Sequence, residues 1–300
     1  NSLQILPCEF MDFFFIFCLS QLNTTEGEQV YAWVFGCIMV IGLPLNVVAL
    51  WILLCRHNLK SPNVVFVVNL AFSDLLLIIS LPMRIYFHAT GTWPLSNMAC
   101  QFITMLFRNN LCSSAFFITF ISVDRLLAVV YPLRSRHLRT SSNAWKGAAV
   151  VWLFVLVLNV PETLDFPKSA NDSWCFDFSP ERKPGLTKGI ANVYLVLIVA
   201  MLAVNIVCTV MVSWVLHRHL SDSAKVSNKM NVMLIFVMNL VLFTICFLPL
   251  SVGVVTVKPT ELKPLICLSA VNCCLDPFLY YFSFDGFWKK KEDADPTREQ

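Results

Sequence analysis

The stretch Ala115-Phe116-Phe117-Ile118-Thr119-Phe120-Ile121-Ser122-Val123-Asp124-Arg125-Leu126 decides how this chain is read. It is apolar almost throughout and then meets an acid and a base side by side. Ionisable side chains are costly inside hydrocarbon, so such a pair at the end of an apolar run marks the edge of a bilayer. Six more runs of this kind flank it. The spans expected are 31–55, 62–88, 97–130, 144–161, 187–216, 229–257 and 262–283, each near the roughly 20 residues a helix needs to cross about 30 Å of hydrocarbon. The chain is 57% hydrophobic and only 14% charged, well below the roughly one quarter charged residues of a soluble domain. Strands of a membrane barrel would alternate over about 10 residues, and these runs do not alternate. The expected fold is all-α, a seven-transmembrane helix bundle filling 31–283, with an N-terminal segment 1–30 and a tail 284–300 able to form an amphipathic helix.

Orientation follows from lysine and arginine in the short loops, which concentrate on the cytoplasmic side. Arg56, Lys60, Arg134, Arg136, Arg139, Lys146, Arg218, Lys225, Lys229 and Lys289-Lys290-Lys291 follow spans 1, 3, 5 and 7. The other side has fewer, mixed with Glu162, Asp165, Asp172 and Asp177. The N-terminus is therefore expected outside, and the net charge of +3 needs no nucleic-acid partner. The glycosylation triplets at Asn23 and Asn171 fall on the same outer side. The run Phe10 to Leu19 is too short to span and lacks a basic leader, so a surface-lying or disordered outer segment is expected rather than a cleaved signal.

Twelve cysteines sort by side. Most lie within spans, where cysteine serves as a small apolar residue. Cys100 opens span 3 at the outer face and Cys175 lies in the outer loop between spans 4 and 5. The exterior is oxidising, so these two can form a disulfide pinning that loop; the alternative is two free thiols. Cys8 and Cys18 are also outside, without an evident partner.

Two polar sets stand out within the spans. Asn46, Asp74, Ser114, Asn272 and Asp276 are expected deep in spans 1, 2, 3 and 7. They form either a helix-bridging hydrogen-bond network or, through their oxygens, a site for a small hard cation such as sodium. No other cofactor is expected. Nearer the outside, Arg84 and Arg108 suggest an anionic guest, since the guanidinium fork suits phosphate or carboxylate. Tyr86, His88, Asn109 and Asn110 could add hydrogen bonds. Arg182, Lys183, Lys188, Lys258 and Lys263 could form a basic rim that draws anions in. The alternative has both arginines reaching for water or pairing with Glu162 or Asp165. Met83, Met105, Phe107, Leu111 and Phe116 are either a wall for an acyl chain or bundle core.

The residues resemble the rhodopsin-like G-protein-coupled receptors over 31–290. The resemblance rests on Gly42-Leu43-Pro44-Leu45-Asn46, Asn69-Leu70-Ala71-Phe72-Ser73-Asp74, Asp124-Arg125-Leu126, Trp152, Cys246-Phe247-Leu248-Pro249 and Asn272-Cys273-Cys274-Leu275-Asp276-Pro277-Phe278-Leu279-Tyr280, in order and at the family's spacing. Ser80-Leu81-Pro82-Met83-Arg84-Ile85-Tyr86, Trp93-Pro94 and Val130-Tyr131-Pro132-Leu133 are similar to the branch of nucleotide, lysophosphatidic-acid and lysophosphatidylinositol receptors. The resemblance implies a plasma-membrane receptor whose partners are a heterotrimeric G protein and an anionic small molecule or lipid. It implies that Asp124 holds Arg125 at rest and that Phe247, Pro249 and Tyr280 take part in opening an inner cleft, with Asp74 and Asp276 between the two sites. A lysophospholipid such as lysophosphatidic acid, which needs an anion clamp and an apolar chamber, is favoured over a nucleotide, which needs more cationic and aromatic hydrogen-bonding groups.

Four features depart from the family pattern. Leu126 replaces an aromatic residue and Phe247 a tryptophan. Span 5 lacks its usual proline, which leaves its shape open. Only 28 positions separate Pro249 from Pro277, and the two half-spans need nearly all of them at 1.5 Å per residue. The third outer connection must turn near Lys258-Pro259, shorter than in family members, so either a variant form or missing residues is expected, with its signalling open. A solute transporter would show paired half-helices or an internal repeat, and neither is evident. An enzyme would need a partnered nucleophile or base; His57, His137, His217 and His219 lie at the inner edge, leaving only His88 near the outer pocket.

Overall fold

The structure is a computed structural model and describes residues 27–56, 59–164, 175, 184–218, 226–257 and 261–283. All the described regular structure is helical: α1 Gly27–Arg56, α2 Pro62–Thr90, α3 Asn97–Val130, α4 Ser141–Leu164, α5 Pro184–Arg218, α6 Val226–Cys246, α7 Leu248–Thr256, α8 Lys263–Ala270 and α9 Asn272–Ser283. The first five helices, and α6 with α7 together, include six segments long and apolar enough to cross a membrane. The seventh crossing is α8 and α9 end to end. Residues 1–26 and 284–300, with Asn23 and the whole tail, lie outside the described residues, as do Asn171 and Lys258-Pro259; the last four residues of the expected outer segment, 27–30, belong to α1.

Local chemistry sets the boundaries. Pro62 occupies the first turn of α2, where its missing N–H costs nothing. Gly91 ends that helix with φ of 68° and donates its N–H to Phe87 O at 2.8 Å, a left-handed cap that suits glycine. Ser96 caps α3 by accepting from Ala99 N at 3.3 Å, and Trp93 Nε1 donates to Ser96 O at 3.1 Å. Cys175 is disulfide-bonded to Cys100 with a Cα–Cα distance of 5.8 Å. The two sulfurs are buried with Phe87 and Trp93, so the top of α3 carries the loop expected there.

Span 5 is one uninterrupted helix despite lacking proline. Spans 6 and 7 are each broken. The first break falls at Phe247, two residues before Pro249, whose ring removes the N–H that would bond Ile245 O. The second falls at Val271, where Cys274 N turns back to Val271 O at 2.9 Å. Pro277 likewise leaves Cys273 O without its helical donor. Asn46 of α1 supplies the replacement, donating from Nδ2 to Cys273 O at 2.7 Å and to Gly42 O at 3.0 Å. Gly42 admits this close approach, since a Cβ there would stand 3.3 Å from Cys273 Sγ.

α7 and α8 approach closely at the short third connection. Leu262 is buried, and a Cβ on Gly253 would meet Leu265 Cδ1 at 2.5 Å and Leu262 Cδ2 at 3.1 Å. Glycine leaves room at this point for the ends of the Leu262 and Leu265 side chains. The main core is filled by apolar side chains from every crossing, among them Phe35, Leu77, Phe117, Val155, Ile198, Phe243 and Cys273.

Candidate functional site

Polar residues gather at three levels along α3. At the disulfide end, α2 places Arg84 and His88 one turn apart on its inner face. Arg84 is only 6% exposed, and its guanidinium carbon lies 4.1 Å from the centre of the Phe107 ring, within cation–π range. Arg108 of α3 stands within electrostatic reach of Arg84. His88, also buried, stacks on Phe35 and tilts against Tyr31, each with centroids 5.7 Å away. Lys263 begins α8 and is half-buried. Lys188 lies on the first turns of α5, and Lys183 lies outside the described residues.

Other residues expected in this group point elsewhere. Tyr86, two positions from Arg84, is 42% exposed and turned out of the bundle. Asn109 faces α4, where its Oδ1 accepts from Asn159 Nδ2 at 2.6 Å; Tyr194 of α5 donates to Asn159 Oδ1 at 3.1 Å. Phe107, Leu111 and Phe116 pack into the central core, while Met83 packs on the cluster around the disulfide.

The middle level centres on Asp74. Asn110 Nδ2 donates to Asp74 Oδ1 at 3.0 Å, to Ser73 Oγ at 3.2 Å and to Ser114 Oγ at 3.2 Å. Asn110 thus serves this network rather than the outer one. The Ser73 and Ser113 hydroxyls lie 2.6 Å apart. Asp276 lies within hydrogen-bonding reach of Asp74 and accepts from Asn272 Nδ2 at 2.6 Å. Asp74, Ser114, Asn272 and Asp276 are therefore brought together at full burial.

At the far end of α3, the acid of the acid–base pair has a partner that the resemblance does not name. Asp124 has both carboxylate oxygens taken by Arg139, at 2.8 Å from Nε and 3.1 Å from Nη2. Arg139 reaches back to it from the connection between α3 and α4. Phe247 is buried against Phe243, centroids 5.2 Å apart, and Pro249 sits at the break already described. Tyr280 falls on α9, with its side chain outside the described residues. Val123, Leu126, Val129 and Val130 pack on Cys208, Val212, Leu216 and Phe236 of α5 and α6, and Asn239 Nδ2 donates to Ser122 Oγ at 3.1 Å. α3, α5 and α6 are thus packed together at this end.

The family model for the 7 transmembrane receptor (rhodopsin family) matches residues 45–280. The chain belongs to that receptor family. It is similar to human lysophosphatidic acid receptor 6, 32% identical over 286 residues that cover 88% of this chain and 83% of that one. Bovine lysophosphatidic acid receptor 5 is 33% identical, covering 85% and 76%. A purinoceptor of chicken is 29% identical, covering 86% and 77%. The receptor is a multi-pass membrane protein for a small-molecule ligand, coupled to a G protein, and is neither an enzyme nor a solute transporter.

Several residues of these networks escaped the reading of the sequence. Arg139 was visible only as one loop cation among many. Asn159, Asn205 and Asn239 carried a clearer signal, since a lone amide in an apolar run needs a partner. Asn205 finds Thr119 Oγ1 at 3.0 Å.

Proposed function

We propose that this receptor binds a lysophospholipid such as lysophosphatidic acid at the plasma membrane, its N-terminus outside, and passes the signal to a heterotrimeric G protein. The observation that carries the reading is that Arg84 and Arg108 stand within electrostatic reach of each other at the disulfide end. Two cations held together in a largely apolar setting repel each other, and a phosphate between them converts that repulsion into two charge-assisted contacts. His88 stands one turn above Arg84, beside Tyr31 and Phe35, where an acyl or glycerol segment has apolar surface to lie on. Lys183, Lys188 and Lys263 complete the reading as a rim that concentrates anions, and Asn23 and Asn171 as outer glycosylation sites. The likeness to lysophosphatidic acid receptors supports the lipid; the likeness to a purinoceptor favours a nucleotide as the second reading.

The test is direct. Arg108→Ala is expected to raise the half-maximal concentration of 1-oleoyl lysophosphatidic acid about tenfold, equivalent to about 1.4 kcal/mol. Adenosine and uridine diphosphates, run beside it, are expected to be silent. An unchanged lipid dose response removes this site, and a response to diphosphates alone selects the nucleotide.

The middle network suits a sodium ion as an allosteric ligand. Its donors are hard oxygens: the carboxylates of Asp74 and Asp276, Ser114 Oγ and the amide oxygen of Asn272. Asp276 Oδ1 and Asn272 Oδ1 are buried without a hydrogen-bond donor, as acceptors awaiting a cation would be. Bound there, sodium would offset the charge of the two acids and favour the closed bundle. Asp124, Arg125, Phe247, Pro249 and Tyr280 form the switch in this reading, with Pro249 as the joint and Arg125 as the group presented to the G protein.

A further inference from the structure

We infer that Thr104 is a specificity-determining residue: its hydroxyl, one turn above Arg108 on α3, hydrogen-bonds the free glycerol hydroxyl of a lysophosphatidate whose phosphate lies between Arg84 and Arg108. The inference rests on the lysophospholipid reading of that end of the bundle and extends it to a second group of the ligand.

The Thr104 hydroxyl is set apart by the bond it does not make. A threonine in a helix can donate to the carbonyl one turn back. Thr119, Thr209, Thr244 and Thr256 all do so, at 2.7 to 2.8 Å, and Ser113 does so on α3 itself at 2.6 Å. For Thr104 that carbonyl belongs to Cys100, and the hydroxyl does not bond it. Thr104 Oγ1 is buried with no hydrogen-bond partner, the one buried hydroxyl among the described residues of which this is true. A buried polar group without a partner is costly, and a ligand that supplies one removes the cost.

The position of Thr104 selects the part of the ligand. Thr104 and Arg108 are four residues apart and share one face of α3, and Arg108 stands within electrostatic reach of Arg84. The register of α2 against α3 is fixed on either side. Ile103 packs on the cluster that holds Phe87, and the Phe107 ring lies 4.1 Å from the Arg84 guanidinium carbon. Thr104 therefore stands at the level between Phe87 and Arg84, about 6 Å nearer the disulfide than Arg108. On α2 the same step leads from Arg84 to His88. The site has two tiers, with guanidiniums below and the Thr104 hydroxyl and His88 ring above. A lysophosphatidate carries its groups in the same order: a single methylene separates the phosphate ester oxygen from the carbon that bears the free hydroxyl. An anion seated on the lower tier brings that hydroxyl to the upper one. A hydroxyl both donates and accepts, so the two are complementary. A site built around such a bond discriminates against a ligand that lacks the hydroxyl, because a polar group is then left buried alone.

The experiment uses the full chain in lipid nanodiscs with purified G protein and reads the half-maximal concentration for nucleotide exchange. Two lipids are compared: 1-oleoyl lysophosphatidic acid and oleoyl propanediol phosphate, which keeps the ester and the phosphate and lacks the hydroxyl. With the wild-type chain, the deoxy lipid is expected to require about tenfold more. Thr104→Val keeps the shape of the side chain and removes the hydroxyl. It is expected to raise the value for lysophosphatidic acid about tenfold and to leave that for the deoxy lipid within about twofold of wild type, as two halves of one bond require. Thr104→Ser, which keeps a hydroxyl, is expected to match wild type with both lipids. Thr104→Ala carries the same expectation as Thr104→Val and replaces it if valine crowds the fold. An unchanged value for lysophosphatidic acid in both hydroxyl-free variants, or an equal loss with the two lipids, overturns the inference; the wild-type response and its loss in Arg108→Ala then leave the receptor reading standing. A wild-type chain silent to both lipids overturns the lysophospholipid reading and the inference with it.

Discussion

α3 and the crossing formed by α8 and α9 solve the same problem in opposite ways. α3 runs 34 residues without a break and reaches each neighbour through a polar contact of its own: Asn110 to Asp74 on α2, Asn109 to Asn159 on α4, Thr119 to Asn205 on α5, Ser122 to Asn239 on α6, and Asp124 to Arg139 beyond its end. The seventh crossing is cut at Val271, carries Pro277, and borrows Asn46 from α1 to satisfy a carbonyl its own backbone abandons. One is a mast to which the others are tied. The other, with the break at Phe247, is where the bundle can change shape without tearing its hydrogen bonds.

That contrast can be attacked from either side. The largest effect is expected at the foot of the mast: Arg125→Ala should abolish nucleotide exchange on a reconstituted G protein while lipid binding persists, and loss of both together would indicate misfolding instead. At the joint, Pro249→Ala gives residue 249 an N–H for Ile245 O and is expected to straighten span 6. Ligand-driven exchange should fall about tenfold at unchanged affinity; an undiminished rate would mean that the break does not depend on proline. Asn46→Ala strands Cys273 O, and its cost should be about 1–3 kcal/mol, read as a lowered melting temperature in detergent. The smallest effect is expected where a tie is already imperfect. Asn239 Oδ1 is buried without a donor, so Asn239→Leu exchanges one hydrogen bond to Ser122 for apolar packing. Stability should change by less than about 1 kcal/mol.

The crossings were legible because a bilayer demands long apolar runs, and that demand writes itself into every residue of a span. The helices extend a few residues beyond most of the expected ends; at Thr90 the stop is set by Gly91, which acts on the backbone whatever the hydropathy. Asp74, Ser114, Asn272 and Asp276 were legible as a group because each is expensive alone in hydrocarbon. The group around Arg84 was legible only in part. Sequence spacing suggested Tyr86 and Asn109 as neighbours, but side-chain direction on a helix repeats every three to four residues, and both point elsewhere. Arg139 was illegible for a different reason. Its contact with Asp124 depends on a turn wound around Ser135, and no periodic pattern announces a turn of that kind.

The close approach at Gly253 has a mechanical consequence. Leu262 and Leu265 rest on that glycine, so the end of span 6 lies directly against the start of span 7. Below that contact the Phe247 break divides the span, and with the break as pivot α6 is an oar hung from it. Its 21 residues extend about 31 Å, so each degree of flexure at the joint carries the tip about half an ångström. Flexure at the joint is thereby magnified along the whole length of α6, from the break to its far tip.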